Sequence, residues 1–426
     1  MKNYLFFFCS LFFVSKIFAQ GATTNPVYFE FTTQQNRAKL YTQMVDTSIR
    51  LYLSEPIADS TEGEWNEAFW SIELLVYKND FIKEKLMQAW KKADSLSEYF
   101  QNNLLEVCFA VYPIEFKKQV NNLLNTTTSI PVFIRAAEYL LHADPSLKTT
   151  NSTQTLIDTK FRGVDHVGLT ILQNRLLTWN KTEPLPPLQD IFSKQFLKDG
   201  TVIYSIQRRD RNYAGMVVIR RPDGTFVKNK DSSFFHVSQL ARAVTNYPFY
   251  ITNGNTPQGI FRWTGFEISK LSFIGPTQNI QMVLPYEASP SVFFVDSSLA
   301  NVSWRKEMYA SLLPASWKNY NGIYETFFAG KIGRSAIIMH GTTVDPAYYK
   351  GKSYYPQTPS LGCLCSYEEW DTKGFRVKSN QQQIDDALGT FNANNGYVVV
   401  IELNNKKKPI RINEVKKFMR RAEKNN

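Results

Sequence analysis

Apolar side chains recur every three or four residues in the first half of the chain. In the second half they come in continuous or alternating runs. From about 28 to 180, Trp65, Phe69 and Trp70 lead into Ile72, Leu74 and Leu75. Phe81, Leu86, Trp90, Leu96 and Phe100 follow, then Phe116, Val120, Leu123 and Leu124. That spacing lays an apolar stripe along one side of a helix. Pro131 opens the run to Leu141 and suits a first helical turn. Brief Asn, Ser and Thr loops between these stretches predict stacked helical pairs, with no repeat period clean enough for a solenoid. Pro184-Leu185-Pro186-Pro187 reads as a stiff linker. Beyond it the grammar changes. Thr201–Ile206, Ala214–Ile219 and Tyr397–Leu403 are β-rich, and Pro222-Asp223-Gly224 is a turn leading into Thr225-Phe226-Val227. The expectation is an α+β chain, with an all-helical domain over 20–190 followed by a β-dominated domain. A basic tail, 406–426, is expected to be solvated surface.

The first residues carry an address. Met1-Lys2-Asn3 is a short basic start, Tyr4 to Val14 is apolar, and Ala19 precedes Gln20. This is the layout of a secretory signal peptide over 1–19, cut after Ala19. An uncleaved anchor is the alternative, although the apolar stretch is short for a span. No later segment is apolar enough for a stable membrane span. Removing Lys2 and Lys16 lowers the formal charge of +11 to about +9 (11 − 2). For an exported chain that balance points away from nucleic acid and towards an anionic envelope polymer, or simply towards solubility.

Three cysteines remain after the cut: Cys108, Cys363 and Cys365. A disulfide-stapled exported fold would carry more, in even number. Cys108 lies in an apolar helical stretch and reads as a small buried hydrophobe. Cys363 closes the tetrad Ser360-Leu361-Gly362-Cys363. Upstream, Ser335–His340 reads as a buried strand that delivers His340 at its end, with Gly341-Thr342 breaking it. A thiol, an imidazole and small residues whose N–H groups can approach an oxyanion are the parts of Cys–His acyl chemistry. Ser366 and Glu369 form a capping-box pattern, which places a helix start just after Cys363. Such a helix and a protonated His340 would both favour thiolate. The intervening loop is rich in tyrosine: Tyr348, Tyr349, Tyr354 and Tyr355. Cys363-Leu364-Cys365 also admits a strained disulfide, a redox guard, a metal ligand pair or a buried filler at Cys365. His142 ends a helical pattern and suits a helix C-terminus, and His166 and His236 lack a partnered nucleophile. There is no phosphate-binding loop, dinucleotide fingerprint or HExxH pattern, so neither cofactor nor metal is expected.

Thr256-Pro257-Gln258-Gly259-Ile260-Phe261, His340-Gly341-Thr342 and Ser360-Leu361-Gly362-Cys363, in that order, resemble the signatures of the L,D-transpeptidase (YkuD-like) catalytic domain. The resemblance covers about 200–405 and implies a mixed β-sandwich. It implies a cysteine enzyme acting on peptidoglycan stem peptides, with Cys363 as nucleophile and His340 as base. Gly341 would orient the imidazole through its carbonyl. Ser360 would shape the loop, and N–H groups at Gly362 and Cys363 would form the oxyanion hole. Tyr348 and Tyr349 are candidate substrate contacts. The family usually has arginine where Cys365 stands, and Arg334 or Arg376 is a candidate replacement. The stretch from about 265 to 330, with Trp304, Trp317, Tyr320 and Tyr324, reads as an insertion forming a lid or substrate wall. An L,D-carboxypeptidase, another envelope peptidase or amidase, and a degenerate module binding an envelope protein through the helical half are the competing readings.

Overall fold

The computed structural model describes residues 26–179, 181 and 183–424; the expected signal peptide lies outside them. The helical half comprises α1 (Gln34–Thr42), α2 (Glu62–Leu75), α3 (Asp80–Lys92), α4 (Glu98–Val111), α5 (Lys117–Thr126), α6 (Ile130–Ala143), α7 (Leu147–Lys160) and α8 (Val167–Leu177). A π-wound turn, Gln43–Leu51, continues α1. Local chemistry sets the starts. Asn79, Ser97, Ser129 and Ser146 cap α3, α4, α6 and α7 by accepting backbone N–H groups, and Pro131 sits in the first turn of α6. Trp65, Phe69, Leu104, Phe133 and Leu141 form the shared core. Two ion pairs adjoin it, Arg135–Glu106 at 3.0 Å, which is buried, and Arg175–Glu138 at 2.7 Å, in which Glu138 is buried and Arg175 half-exposed.

The second half is a closed barrel of eight strands, not the β-sandwich that the resemblance implied. The strands are β1 (Val202–Gln207), β2 (Gly215–Arg220), β3 (Val237–Leu240), β4 (Gly259–Ile268), β5 (Gln278–Val283), β6 (Met339–His340), β7 (Leu364–Ser366) and β10 (Gly396–Glu402). Around the ring the order is β1-β10-β4-β5-β6-β7-β3-β2. Two neighbours are parallel, β1 with β10 and β6 with β7. Pairing β10 to both β1 and β4, and β7 to both β3 and β6, leaves no free edge, which is what separates a barrel from two stacked sheets. A separate two-stranded sheet, β8 (Glu368–Trp370) with β9 (Arg376–Ser379), lies beyond β7.

Alternation along the strands sorts inside from outside. Ile203, Val217, Phe261, Met282, Met339, Leu364 and Val398 fill the barrel. Ser205, Gln239 and Ser366 make a hydrogen-bonded polar layer inside it. Tyr204, Val218, Val399 and Ile401 point outwards under a second core. Trp304, Trp317, Tyr320 and Tyr324 belong to that second core, so these rings cover the barrel and do not stand open as a lid. The barrel runs on through β4 and β5, and the long excursion is 284–338, between β5 and β6. The basic tail is also docked: Met419 and Ala422 of the helix Lys416–Lys424 are buried. The strand read from Ser335 shortens to two residues, because Ala336 turns the backbone into the left-handed region at φ 56°.

Asp385, on the helix Asn380–Gly389, is buried with one carboxyl oxygen unpartnered among the described residues. Desolvation raises its pKa to about 8. An unfolded aspartate titrates near 4, so between those values only the folded state keeps this proton. Its contribution to stability is therefore present at low pH and falls as pH rises towards 8. Asp385→Asn is expected to melt at least roughly 2 °C higher than the parent at pH 8, with the difference vanishing near pH 4. Thermal melts across that range check it.

Candidate functional site

Cys363 is the residue immediately before β7, and His340 is the last residue of β6. The two strands are parallel neighbours, with Met339 opposite Leu364 and His340 opposite Cys365. Met339 and Leu364 point into the barrel. Their neighbours in sequence therefore point out, which puts His340, Cys363 and Cys365 on one outer face, two residues of register separating the imidazole from Cys363. No hydrogen bond joins the two. The sulfur accepts from Ile338 N–H at 3.5 Å and donates to Ala336 O at 3.6 Å.

The loop carrying the thiol is tightly held. Ser360 Oγ donates to the Cys363 carbonyl at 2.9 Å and accepts the Gly362 N–H at 3.2 Å. Thr256 Oγ1 donates to the Gly362 carbonyl at 2.9 Å and lies 3.2 Å from that of Cys363. The expected oxyanion pair is thus reduced to one free donor. The Gly362 N–H is occupied by Ser360, while the Cys363 N–H has no acceptor among the described residues. Gly362 adopts φ +115°, and a Cβ there would stand 2.3 Å from Arg334 Nη2 and 2.6 Å from Gly254 O.

Arg334 is that close neighbour because it is buried behind the loop. Nη1 donates to the carbonyls of Phe249 and Asn255, and Nη2 donates to Gly254 O at 2.9 Å. No carboxylate lies within 4 Å of it among the described residues. Burial lowers its pKa to about 10, against the charges of Cys363 and Glu325. It remains a cation at neutral pH and acts behind the loop, not as an open substrate contact. Arg376, the other candidate replacement, belongs to a different network, bonding Thr277 and Gln382.

The turn after His340 is clamped by a residue that sequence reasoning missed. His340 Nδ1 lies 2.5 Å from Gly341 O. A carbonyl only accepts, so Nδ1 carries the proton and Nε2 keeps the lone pair. Glu368, fully buried on β8, accepts the Thr342 N–H at 3.1 Å and the hydroxyls of Thr277 and Ser379 at 2.6 Å each. Trp370 Nε1 donates to Thr342 O at 2.9 Å. A Cβ on Gly341 would come within 2.5 Å of the Glu368 carboxyl, so this position has room only for glycine. Nothing local distinguishes Glu368 from Glu369; they differ in which face of β8 they take.

The residues after Cys363 form strands, so no helix begins there and no helix end lowers the thiol pKa. Burial pushes the Cys363 thiol up, opposed by Ile338 N–H and Arg334 and reinforced by Glu287. Burial pushes His340 down, opposed by its bond to Gly341. The resting pair is a neutral thiol and a neutral imidazole. Cys363 and Cys365 are free thiols, which removes the disulfide reading, and no metal-holding cluster occurs among the described residues. Cys365 is buried against Thr358 with its pKa raised to about 12. Tyr349 is wholly buried in the helical core rather than facing substrate, and Tyr348 packs beside Tyr41. His166 caps α8, and His236 Nδ1 lies 3.0 Å from Phe234 O.

Gly341→Ala is expected to cost about 1–3 kcal/mol, the usual toll of overpacking, measured by denaturant unfolding. A variant as stable as the parent would show that Glu368 yields freely. No protein-family model matches the chain, and neither does any curated protein or solved structure.

Proposed function

We propose that this protein is an exported L,D-transpeptidase, a cysteine acyltransferase acting on peptidoglycan stem peptides in the periplasm or cell envelope. The ordered motifs around Thr256, His340 and Cys363 support the reading. The observation that carries it is the shared outer face of β6 and β7, where a free thiol lies two residues of register from an imidazole whose Nδ1 is fixed on Gly341 O.

The chemistry follows from those groups. The sulfur turns from Ala336 O towards His340, and Nε2 takes its proton. The thiolate attacks the carbonyl of the donor stem, and the Cys363 N–H steadies the oxyanion. The carbon–nitrogen bond breaks, and His340 returns the proton to the departing amine, leaving a thioester on Cys363. The amine of a second stem then attacks, gives its proton to His340 and releases the sulfur. Water in place of that amine would make the same site an L,D-carboxypeptidase. Arg334 favours the charged sulfur without touching substrate. Among the described residues no helix is long and apolar enough to cross a membrane.

Intact-mass measurement after exposure to a carbapenem acyl donor tests the reading. One covalent adduct is expected on the parent protein and none on Cys363→Ala. His340→Ala is expected to acylate about 100-fold more slowly, the usual worth of a general base. An unlabelled parent, or a Cys363→Ala variant labelled like the parent, overturns the assignment.

A further inference from the structure

The segment 245–256 joins β3 to β4 and passes between the two halves of the molecule. Its outer side is gripped by helices. Tyr247 donates its hydroxyl to the carbonyls of Leu105 and Arg135 at 3.3 and 3.4 Å, and its ring stacks on Phe109 at 4.0 Å. Tyr250 donates to Glu138 Oε1 at 2.5 Å, and Glu138 accepts from Nε and Nη2 of Arg175. Asn253 Nδ2 donates to Glu106 Oε2 at 3.4 Å, and Glu106 pairs with Arg135. The inner side faces the thiol loop. The carbonyls of Phe249, Gly254 and Asn255 are the cradle of Arg334, and Thr256 holds the carbonyls of Gly362 and Cys363.

We propose that the helical half is the positioning scaffold of the thiol site. By gripping Tyr247, Tyr250 and Asn253 it fixes the carbonyl cradle of Arg334, and so the charge presented to Cys363. Tyr250 and Glu138 are positioning residues; neither touches the reacting atoms. A guanidinium bonded only to neutral carbonyls has no ionic partner to hold its place, so its distance from the sulfur depends on where those carbonyls stand. Coulomb energy varies inversely with that distance and is least screened where water is excluded. The groups facing Cys363 are Arg334, Glu287, the Ile338 N–H and Ala336 O, with Cys365 and His340 on the same strand face. Only Arg334 among them is held by the segment from the helices.

The proposal rests on Cys363 being the working thiol, yet its test needs no stem peptide. The rate of iodoacetamide alkylation at Cys363, read by peptide mass mapping of the full-length protein, is followed from pH 6 to 10. Arg334→Gln is expected to move the midpoint up by about one unit, a tenfold loss of thiolate near neutral pH. Tyr250→Phe and Glu138→Gln are expected to move it up by about half a unit, roughly threefold. The double variant Tyr250→Phe/Arg334→Gln should match Arg334→Gln alone, because the tyrosine acts through the arginine. Simple structural glue would lower the melting temperature and leave the profile unmoved. Tyr250→Phe removes one oxygen and decides the matter if Glu138→Gln fails to fold. An unchanged profile for Tyr250→Phe, or additive shifts in the double variant, overturns the proposal. A carbapenem adduct that never forms, beside a coupled alkylation profile, would remove the transpeptidase reading and leave this one standing.

Discussion

A buried guanidinium without a carboxylate is the constraint on which the site depends. Arg334 spends its donors on three backbone carbonyls and has no ionic partner within reach among the described residues. Burying a charge is costly unless hydrogen bonds replace its water. Here those bonds come from one stretch of chain, 249–255, so the position of that stretch and the existence of the charge imply each other. Of the groups whose negative charge Arg334 feels, Cys363 acts more strongly than Glu325. The thiol is otherwise disfavoured as an anion by its own burial. A neutral resting pair with one fixed cation behind it is suited to a nucleophile that becomes charged only when its proton is taken.

The helical half shows what periodicity can deliver. Its apolar spacing and the proline of α6 are local properties, and the helices they mark are present. The β-rich runs read at Thr201–Ile206, Ala214–Ile219 and Tyr397–Leu403 fall within one residue of the strands found, because both faces of these strands are covered and most of their residues are apolar. What could not be read is how those strands close. The parallel return of β10 beside β1 and of β7 beside β6 is a long-range choice, and a run of valines is the same in a barrel as in a sandwich.

The candidate site was marked by its motifs, while the residues that support it were not. Cys363, His340, Gly341, Ser360 and Gly362 all lie in or against one loop-and-turn assembly. Glu368 and Thr256 complete that assembly through contacts spanning 26 and 106 residues, separations at which no spacing rule operates. The capping-box reading of Ser366 and Glu369 failed for a related reason. The same residues that could cap a helix are here paired laterally in β7 and β8. Tertiary pairing overrode a local preference. The aromatic stretch after β5 suffered the same fate, since rings that suggested a wall over substrate serve to waterproof the barrel.

The position of β10 in the chain has a consequence for how the molecule comes into being. Its residues 396–402 form the stave between β1 and β4, and the fully buried Arg208 pairs with Glu414 and donates to Asn404 Oδ1 and to the carbonyls of Lys408 and Pro409. Until a ribosome has delivered those late residues, the ring lacks a member and an arginine lacks its counter-charge. Closure of the ring therefore comes after every other strand has been made. The barrel stays open until the chain has been extended past residue 414.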